Sequence, residues 1–461
     1  MKRLLLLSTT TGYQAQQFRA AAERMEIPLV LASDTCHAMD DPWGDGAISV
    51  RFQKPRESAG KIREYALHQP IHGVAAIGDA PTATAALIAR DLGLRFHSPE
   101  AVELCRNKFL ARQRYQQAGM RVPWYARFKA ASDPAQAARA VPYPCVLKPL
   151  GLSASRGVIR ADNQKEFAAA FKRIAALLQQ KDVKIMRDES AGWIQVESFI
   201  PGREVAVEGL VTGGRLRVLA IFDKPDPLDG PFFEETIYIT PSRLDGAAQQ
   251  AIAECTQQAV SALGLSDGPI HGELRLNHDG PWMLEVAARP IGGLCAGALR
   301  FLRGPRRAPV LGATGWEGGC RLLSLEELIL RHALGESVDN VARESCASGV
   351  MMIPIPHEGF YEGVENVEEA QQVAGVERVE ITAKLRQKLV PLPEGASYLG
   401  FIFARGAGSA PPARAADRRS GSAARRRTSR RWAGPRLPAS TGRRGSGELR
   451  REWDRRSGRA L

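Results

Sequence analysis

Two glutamates spaced to face one another across a tight turn are the residues of this chain best placed to do chemistry. The segment Ile270-His271-Gly272-Glu273-Leu274-Arg275-Leu276 runs into Asn277-His278-Asp279-Gly280-Pro281, followed by Trp282-Met283-Leu284-Glu285-Val286-Ala287-Ala288-Arg289. A hairpin centred on Asp279 sets Glu273 opposite Glu285. Side chains alternate between the faces of a strand, so His271, Glu273, Arg275, Glu285 and Arg289 share one face. Opposed carboxylates repel. One of them takes up a proton, or a cation sits between them, or both are solvated or paired with Arg275 and Arg289. Magnesium suits the second case, because it accepts one or two carboxylates and fills its remaining positions with water and phosphate oxygens.

A second group of residues could handle phosphate. Tyr143-Pro144-Cys145-Val146-Leu147-Lys148-Pro149 reads as an apolar strand ending in a lysine, and Gly151-Leu152-Ser153-Ala154-Ser155-Arg156-Gly157 follows as a loop of small residues. Backbone N–H groups of such a loop can close on phosphate oxygens while the lysine adds a point charge. No Gly-Lys-Ser/Thr follows, so this is not a Walker A loop, and the Rossmann glycine fingerprint is also absent. A third segment, Ile194-Gln195-Val196-Glu197-Ser198-Phe199-Ile200-Pro201-Gly202-Arg203-Glu204-Val205, carries two acids seven apart around a Pro-Gly turn.

The elements that must hold these groups are legible from periodicity. Leu4–Ser8, Pro28–Ala32 and Val74–Ile77 read as strands, with helices to about Arg24 and over Thr82–Leu92. Strands alternating with helices predict a doubly wound parallel sheet, whose ligands lie at the carboxyl ends of the strands. The loops Thr9–Tyr13 and Gly78–Pro81 are therefore candidate substrate contacts. Ser98-Pro99-Glu100 starts a helix expected to run unbroken to Gln117. Residues 141–300 are strand-rich, 301–320 read as an exposed loop, 324–334 as a capped amphipathic helix, and 345–403 as strands with one helix at Val367–Val373.

In this order the segments resemble the ATP-grasp superfamily over roughly residues 1–403. The resemblance is carried by Asn107-Lys108-Phe109, Val146-Leu147-Lys148-Pro149 with its loop, Val196 to Glu204, His271-Gly272-Glu273-Leu274-Arg275, and Leu284-Glu285-Val286-Ala287-Ala288-Arg289-Pro290 with Gly292-Gly293. It implies an α/β and α+β architecture, an ATP-grasp fold preceded by a doubly wound parallel-sheet (pre-ATP-grasp) domain. The implied boundaries are 1–97 for that domain, 98–340 for the ATP-grasp domain with a nucleotide-binding subdomain at about 120–200, and 341–403 for a small last unit.

The resemblance also implies roles. Lys108 and Lys148 would contact ATP phosphates, and the loop with Ser153, Ser155 and Gly157 would close over them. Glu197 and the backbone through Ser198, Phe199 and Ile200 would hold adenine, and Glu204 the ribose. Glu273 and Glu285 would bind Mg2+ or Mn2+. Arg289 would steady an acyl phosphate, with Lys148 as its catalytic partner and His271 near the substrate. Pro231-Phe232-Phe233-Glu234-Glu235 and the closing Gly395-Ala396-Ser397-Tyr398-Leu399-Gly400-Phe401-Ile402-Phe403 are similar to the carboxylate–amine ligases that include L-amino-acid ligases. There an acid like Glu235 would meet an amino group. The implied activity is amide formation from a small carboxylate and an amine, by an enzyme that could pair as a homodimer. A biotin-carboxylase-like bicarbonate-activating enzyme and an ATP-binding protein without turnover are the alternatives. Two departures stand out: Ala287 replaces an asparagine common in the superfamily, and an arginine-rich stretch replaces an expected amphipathic helix after Phe403.

Composition bounds the rest. The net charge of +13 belongs entirely to residues 404–461, which hold 17 Arg, no Lys and 4 acids, leaving 1–403 neutral. This stretch lacks Val, Ile, Phe, Tyr and Met and is expected to be disordered. A nucleic-acid or acidic-partner arm, a solvated tail, and out-of-frame translation of a GC-rich gene all fit it; elsewhere nothing points to nucleic acid. No apolar run reaches 18 residues, so no membrane span is expected, and the apolar run Leu4–Leu7 is too short for a signal peptide. The seven cysteines are scattered without a CxxC pair, which fits a reducing cytoplasm and argues against a zinc site.

Overall fold

The computed structural model describes residues 2–9, 13–34, 46–185, 189–303 and 322–406. The first sheet has strands β1 (Leu4–Ser8), β2 (Leu29–Ser33), β3 (Ala47–Ser49) and β4 (Gly73–Ile77), all parallel, in the order β3-β2-β1-β4. Leu4 to Leu7 are fully buried because helices cover both faces. Leu4 and Leu6 join one core with Phe18 and Leu328, while Leu5 and Leu7 join another with Ile62 and Ile88. The helix after β4 begins at Asp79, three residues earlier than the sequence reading, so the β4 loop is short and Asp79 sits in the helix's first turn.

The helix expected from Ser98 to Gln117 is broken at Asn107. Pro99–Arg106 and Lys108–Gln117 are separate helices, and Asn107 (φ −115°, ψ 101°) ends the first and caps the second. Its side-chain oxygen accepts from the N–H groups of Phe109 at 3.1 Å and Leu110 at 3.2 Å. Asparagine at a cap satisfies donors that a continuous helix would use internally. The break makes Lys108 the first residue of the second helix.

Strands β5 (Tyr125–Lys129), β6 (Cys145–Pro149), β7 (Ile159–Ala161) and β8 (Trp193–Ser198) form an antiparallel sheet in the order β5-β8-β6-β7. The helix Gln164–Leu178 packs Phe167, Phe171 and Ile174 against it. The largest sheet follows, built on β9 (Arg203–Thr212), β10 (Arg215–Asp223), β11 (Ile237–Thr240), β12 (Gly268–Asn277) and β13 (Gly280–Ala287). Three short strands, β14 (Phe301–Arg303), β15 (Leu322–Leu323) and β16 (Val341–Arg343), make a small separate sheet. Phe301–Arg303 is thus strand rather than loop; the remainder of the expected 301–320 loop lies outside the described residues.

The chain then adds β17 (Ala347–Ile353), β18 (Gly359–Phe360), β19 (Val376–Ile381), β20 (Lys388–Leu389) and β21 (Gly400–Gly406). β17, β21 and β19 extend the large sheet, giving the antiparallel order β13-β12-β9-β10-β11-β17-β21-β19. Val350, Met352, Phe401 and Phe403 share a core with Phe222 and Tyr238, so 341–403 packs into the body of the molecule. The arginine-rich stretch beyond Gly406 lies outside the described residues, as do Thr10–Gly12 of the first candidate loop.

The β12–β13 hairpin differs from the expected one in an informative way. Asn277 pairs with Gly280, so the turn has two residues, His278 and Asp279. Arg275 then faces Trp282 and Leu274 faces Met283, one residue out of the expected register. The pairing slips between Leu274 and Glu273, leaving Leu284 as an extra residue, and Glu273 does face Glu285. A β-bulge therefore restores the opposition that a symmetric turn was expected to create.

Candidate active site

A cleft of about 560 Å³ lies where the β4 loop, the β5–β8 sheet and the large sheet meet. Most of the candidate site residues line it, Gly157 excepted. The lining includes Gly78–Pro81, Lys108, Lys148, Ser153, Ser155, Glu197–Ile200, Glu204, Glu235, His271, Glu273, Glu285 and Arg289. Thr9 lines it too, with Tyr398 from the C-terminal segment.

The phosphate-type loop is held from three sides. Lys108 Nζ donates to Leu152 O at 2.7 Å and lies 3.4 Å from Glu285 Oε2. Gly157 N–H donates to Pro393 O at 2.8 Å, and Arg156 Nε to Glu394 O at 2.7 Å. Ala154 and Ser155 both occupy the left-handed region at φ 56° and 54°, an uncommon state for non-glycine residues that turns the loop sharply.

Lys148 Nζ does not project freely. It donates to Glu197 Oε2 at 2.6 Å, and Glu197 Oε1 takes Arg112 Nε at 2.7 Å and Gln195 Nε2 at 2.6 Å. Burial alone would raise the Glu197 pKa, but the Arg112 and Lys148 charges hold it down at about 2. Three donors therefore already hold the carboxylate expected to meet adenine, next to the backbone of Ser198–Ile200.

Beside the paired glutamates lies a buried cationic centre that the sequence reading did not single out. Lys224 Nζ contacts Glu204 Oε1 at 2.9 Å, Glu273 Oε1 at 3.2 Å, and Glu235. These three carboxylates gather within 4.8 Å of one another, a grouping able to hold a metal ion. The Lys224 ammonium in their midst already supplies a cation to all three. Burial and the neighbouring acids push Glu235 up to about 7, while Lys224 and His271 outweigh burial and keep Glu273 well below the usual carboxylate range. Glu204 also accepts from Arg275 Nε at 3.0 Å.

His271 Nδ1 sits 2.9 Å from buried Glu208 and its Nε2 lies 3.5 Å from Glu273. Burial opposes its charge, but hydrogen bonds to both acids hold it at about 9, so it is an imidazolium. Arg289 makes a two-pronged pair with Asp79, at 2.8 and 3.1 Å. Burial opposes ionisation of Asp79, and Arg289 overcomes it, lowering its pKa. Neither Arg275 nor Arg289 forms an ion pair with Glu273 or Glu285; their closest carboxylate partners are Glu204 and Asp79.

Asp79 fell inside a loop already named as a candidate. Arg112 and Glu208 were missed, as was Lys224. Lys224 carried the same signal as Lys148, a lysine at the end of an apolar strand. Arg112 follows Lys108 by four residues, on the same helix face.

The ATP-grasp domain profile matches residues 141–298, and the L-amino acid ligase C-terminal domain 2 profile matches residues 351–421. The chain is 29% identical to the alanine–anticapsin ligase of Bacillus subtilis over 212 residues, spanning 43% of this chain and 44% of that protein. It is 25% identical over 411 residues to an uncharacterized protein of Sinorhizobium fredii, covering 88% of this chain and 79% of that one. The crystal structure of an L-amino acid ligase from Bacillus licheniformis superposes with a TM-score of 0.71 at 27% identity, covering 89% of this chain and 94% of that chain. Among the described residues, no helix is long and apolar enough to cross a membrane.

Proposed function

Because this chain belongs to the ATP-grasp superfamily, in its carboxylate–amine ligase group, we propose that it joins a small carboxylic or amino acid to an amine through an acyl phosphate. A carboxylate oxygen of the first substrate attacks the γ-phosphorus of ATP and ADP leaves. The amine nitrogen then attacks the acyl carbon, phosphate leaves with the bonding electrons, and the nitrogen loses a proton. The protein's task is positioning and charge neutralisation.

The observation that carries this reading is the convergence on one cleft of Lys108, Lys148, Arg289 and the opposed pair Glu273–Glu285. Lys108 and Lys148 would take phosphate oxygens, and the loop around Ser153, Ser155 and Gly157 would exclude water from the acyl phosphate. The backbone of Ser198–Ile200, behind Glu197, would hold the base and Glu204 the ribose. Glu235 would meet the amine, with His271 fixing Glu273 beside it. Arg289, steered by Asp79, would face the acyl phosphate. Glu273 and Glu285 offer hard oxygen donors that fit Mg2+ or Mn2+, which when bound would neutralise phosphate oxygens; Ala287 adds no ligand.

The test is phosphate release from purified protein across panels of carboxylates, amino acids and amines. Sustained release of ADP and phosphate should appear only when both substrates are present. ATP turnover with bicarbonate and free biotin alone would instead favour the carboxylase alternative. Glu285→Ala should abolish turnover with an unchanged thermal transition, and retained activity would remove the metal assignment.

A further inference from the structure

We infer that Arg112, a buried residue outside the assigned nucleotide groups, is a positioning residue that sets both how far Glu197 neutralises Lys148 and the facing of Glu285. The inference rests on the ligase reading for the identity of the ligand and for the metal role of Glu285.

Its side chain is 2% exposed, and its guanidinium reaches three acceptors on two sheets. Nε donates to Glu197 Oε1 at 2.7 Å, Nη1 to Met283 O at 2.6 Å, and Nη2 to Leu284 O at 3.1 Å. A planar fork of donors can serve such an arrangement, whereas a lysine ammonium is a single point charge.

One consequence is electrostatic. Glu197 is ionised and touches Lys148. Arg112, Lys148 and Glu197 together carry one net positive charge. Without Arg112, Glu197 would cancel Lys148, and this wall of the cleft would offer a triphosphate no net attraction.

The other consequence is geometric. The β12–β13 register slips at Leu284, and a bulge leaves backbone groups outside the regular ladder. Arg112 caps the carbonyls of Met283 and Leu284, the residues at that slip. Without the slip, Glu273 would face Leu284, and Glu285 would point to the opposite side of the sheet. The same guanidinium therefore governs the phosphate lysine and the second metal carboxylate.

The experiment measures binding of a nonhydrolysable ATP analogue, AMP-PNP, and its Mg2+ dependence in the full chain. Arg112→Met, Arg112→Lys and the pair Arg112→Met/Glu197→Gln are compared with wild type, with thermal unfolding recorded for each. Arg112→Met should weaken analogue binding by about tenfold or more, the scale of a lost charge-assisted contact, and raise the Mg2+ needed for half-saturation. Adding Glu197→Gln should restore much of the analogue affinity by freeing Lys148, while the Mg2+ requirement stays raised. A fold defect alone would give neither the recovery nor the split. If Arg112→Met does not fold, Arg112→Lys carries the test, with its Mg2+ requirement raised. Wild-type affinity and Mg2+ dependence in a folded variant, or no recovery in the pair, overturns the inference. If wild type binds no analogue, the ligase reading falls. Hydrogen exchange across Gly280–Ala287 then decides: faster exchange in Arg112→Lys supports the role at the bulge, and unchanged protection overturns it.

Discussion

At the scale of single residues, the cleft is organised by cations placed between acids. Lys224 is 3% exposed and shares its ammonium among Glu204, Glu235 and Glu273, and those acids, against the pull of burial, raise its pKa well above the ordinary lysine value. Removing one member of a buried ionic group leaves the others uncompensated, which is costlier than never having had the group. Lys224→Met should therefore lower stability by about 3–5 kcal/mol, read as a shift in the urea unfolding midpoint. A loss below about 1 kcal/mol, the scale of an exposed ion pair, would mean the carboxylates find other compensation.

At the scale of elements, the phosphate-type loop depends on close packing at its end. Gly157 has φ 74°, and a Cβ there would lie 2.8 Å from Pro149 Cγ and 2.9 Å from Leu177 Cδ2. Both neighbours belong to elements that cannot move freely, β6 and the helix Gln164–Leu178. Gly157→Ala should cost about 1–3 kcal/mol through left-handed strain and overpacking. It should also weaken nucleotide binding, because the displaced segment carries the N–H that docks on Pro393 O. Chemical denaturation with analogue titration checks both effects, and an unchanged midpoint would show that the loop relaxes around the methyl group.

At the scale of the whole molecule, two buried histidines tie separate elements together and make the protein acid-sensitive. His97 Nε2 lies 3.1 Å from Pro269 O on β12, and His332 Nε2 lies 2.8 Å from Thr212 Oγ1 at the end of β9. Burial holds both rings neutral, with pKa values lowered to about 4. In the unfolded chain they titrate near 6.5, so between about 6.5 and 4 the unfolded state binds more protons. Their contribution to stability is full above pH 6.5 and is lost as the pH falls towards 4, by up to about 3 kcal/mol each. Urea midpoints at pH 7.5 and 5 should differ accordingly. A double His97→Gln/His332→Gln variant should show a flatter pH dependence over that window.

The local features were legible in the amino-acid sequence because neighbours within a few residues decide them. The four leucines of β1, the cap at Ser98, the capping box at Ser324 and Glu327, and the lysine ending β6 all follow from short-range rules. The order of the chemical segments, and with it the ATP-grasp resemblance, was legible for the same reason. The tertiary structure alone decided which charges meet. Arg112 lies 85 residues from Glu197, Arg289 lies 210 residues from Asp79, and Lys224 lies 49 residues from Glu273. A buried, shared charge is spelled with the same letter as a solvated one, so only the packing of distant segments tells them apart. The bulge at Leu284 has the same origin, since a strand's register depends on its partners as well as its own alternation.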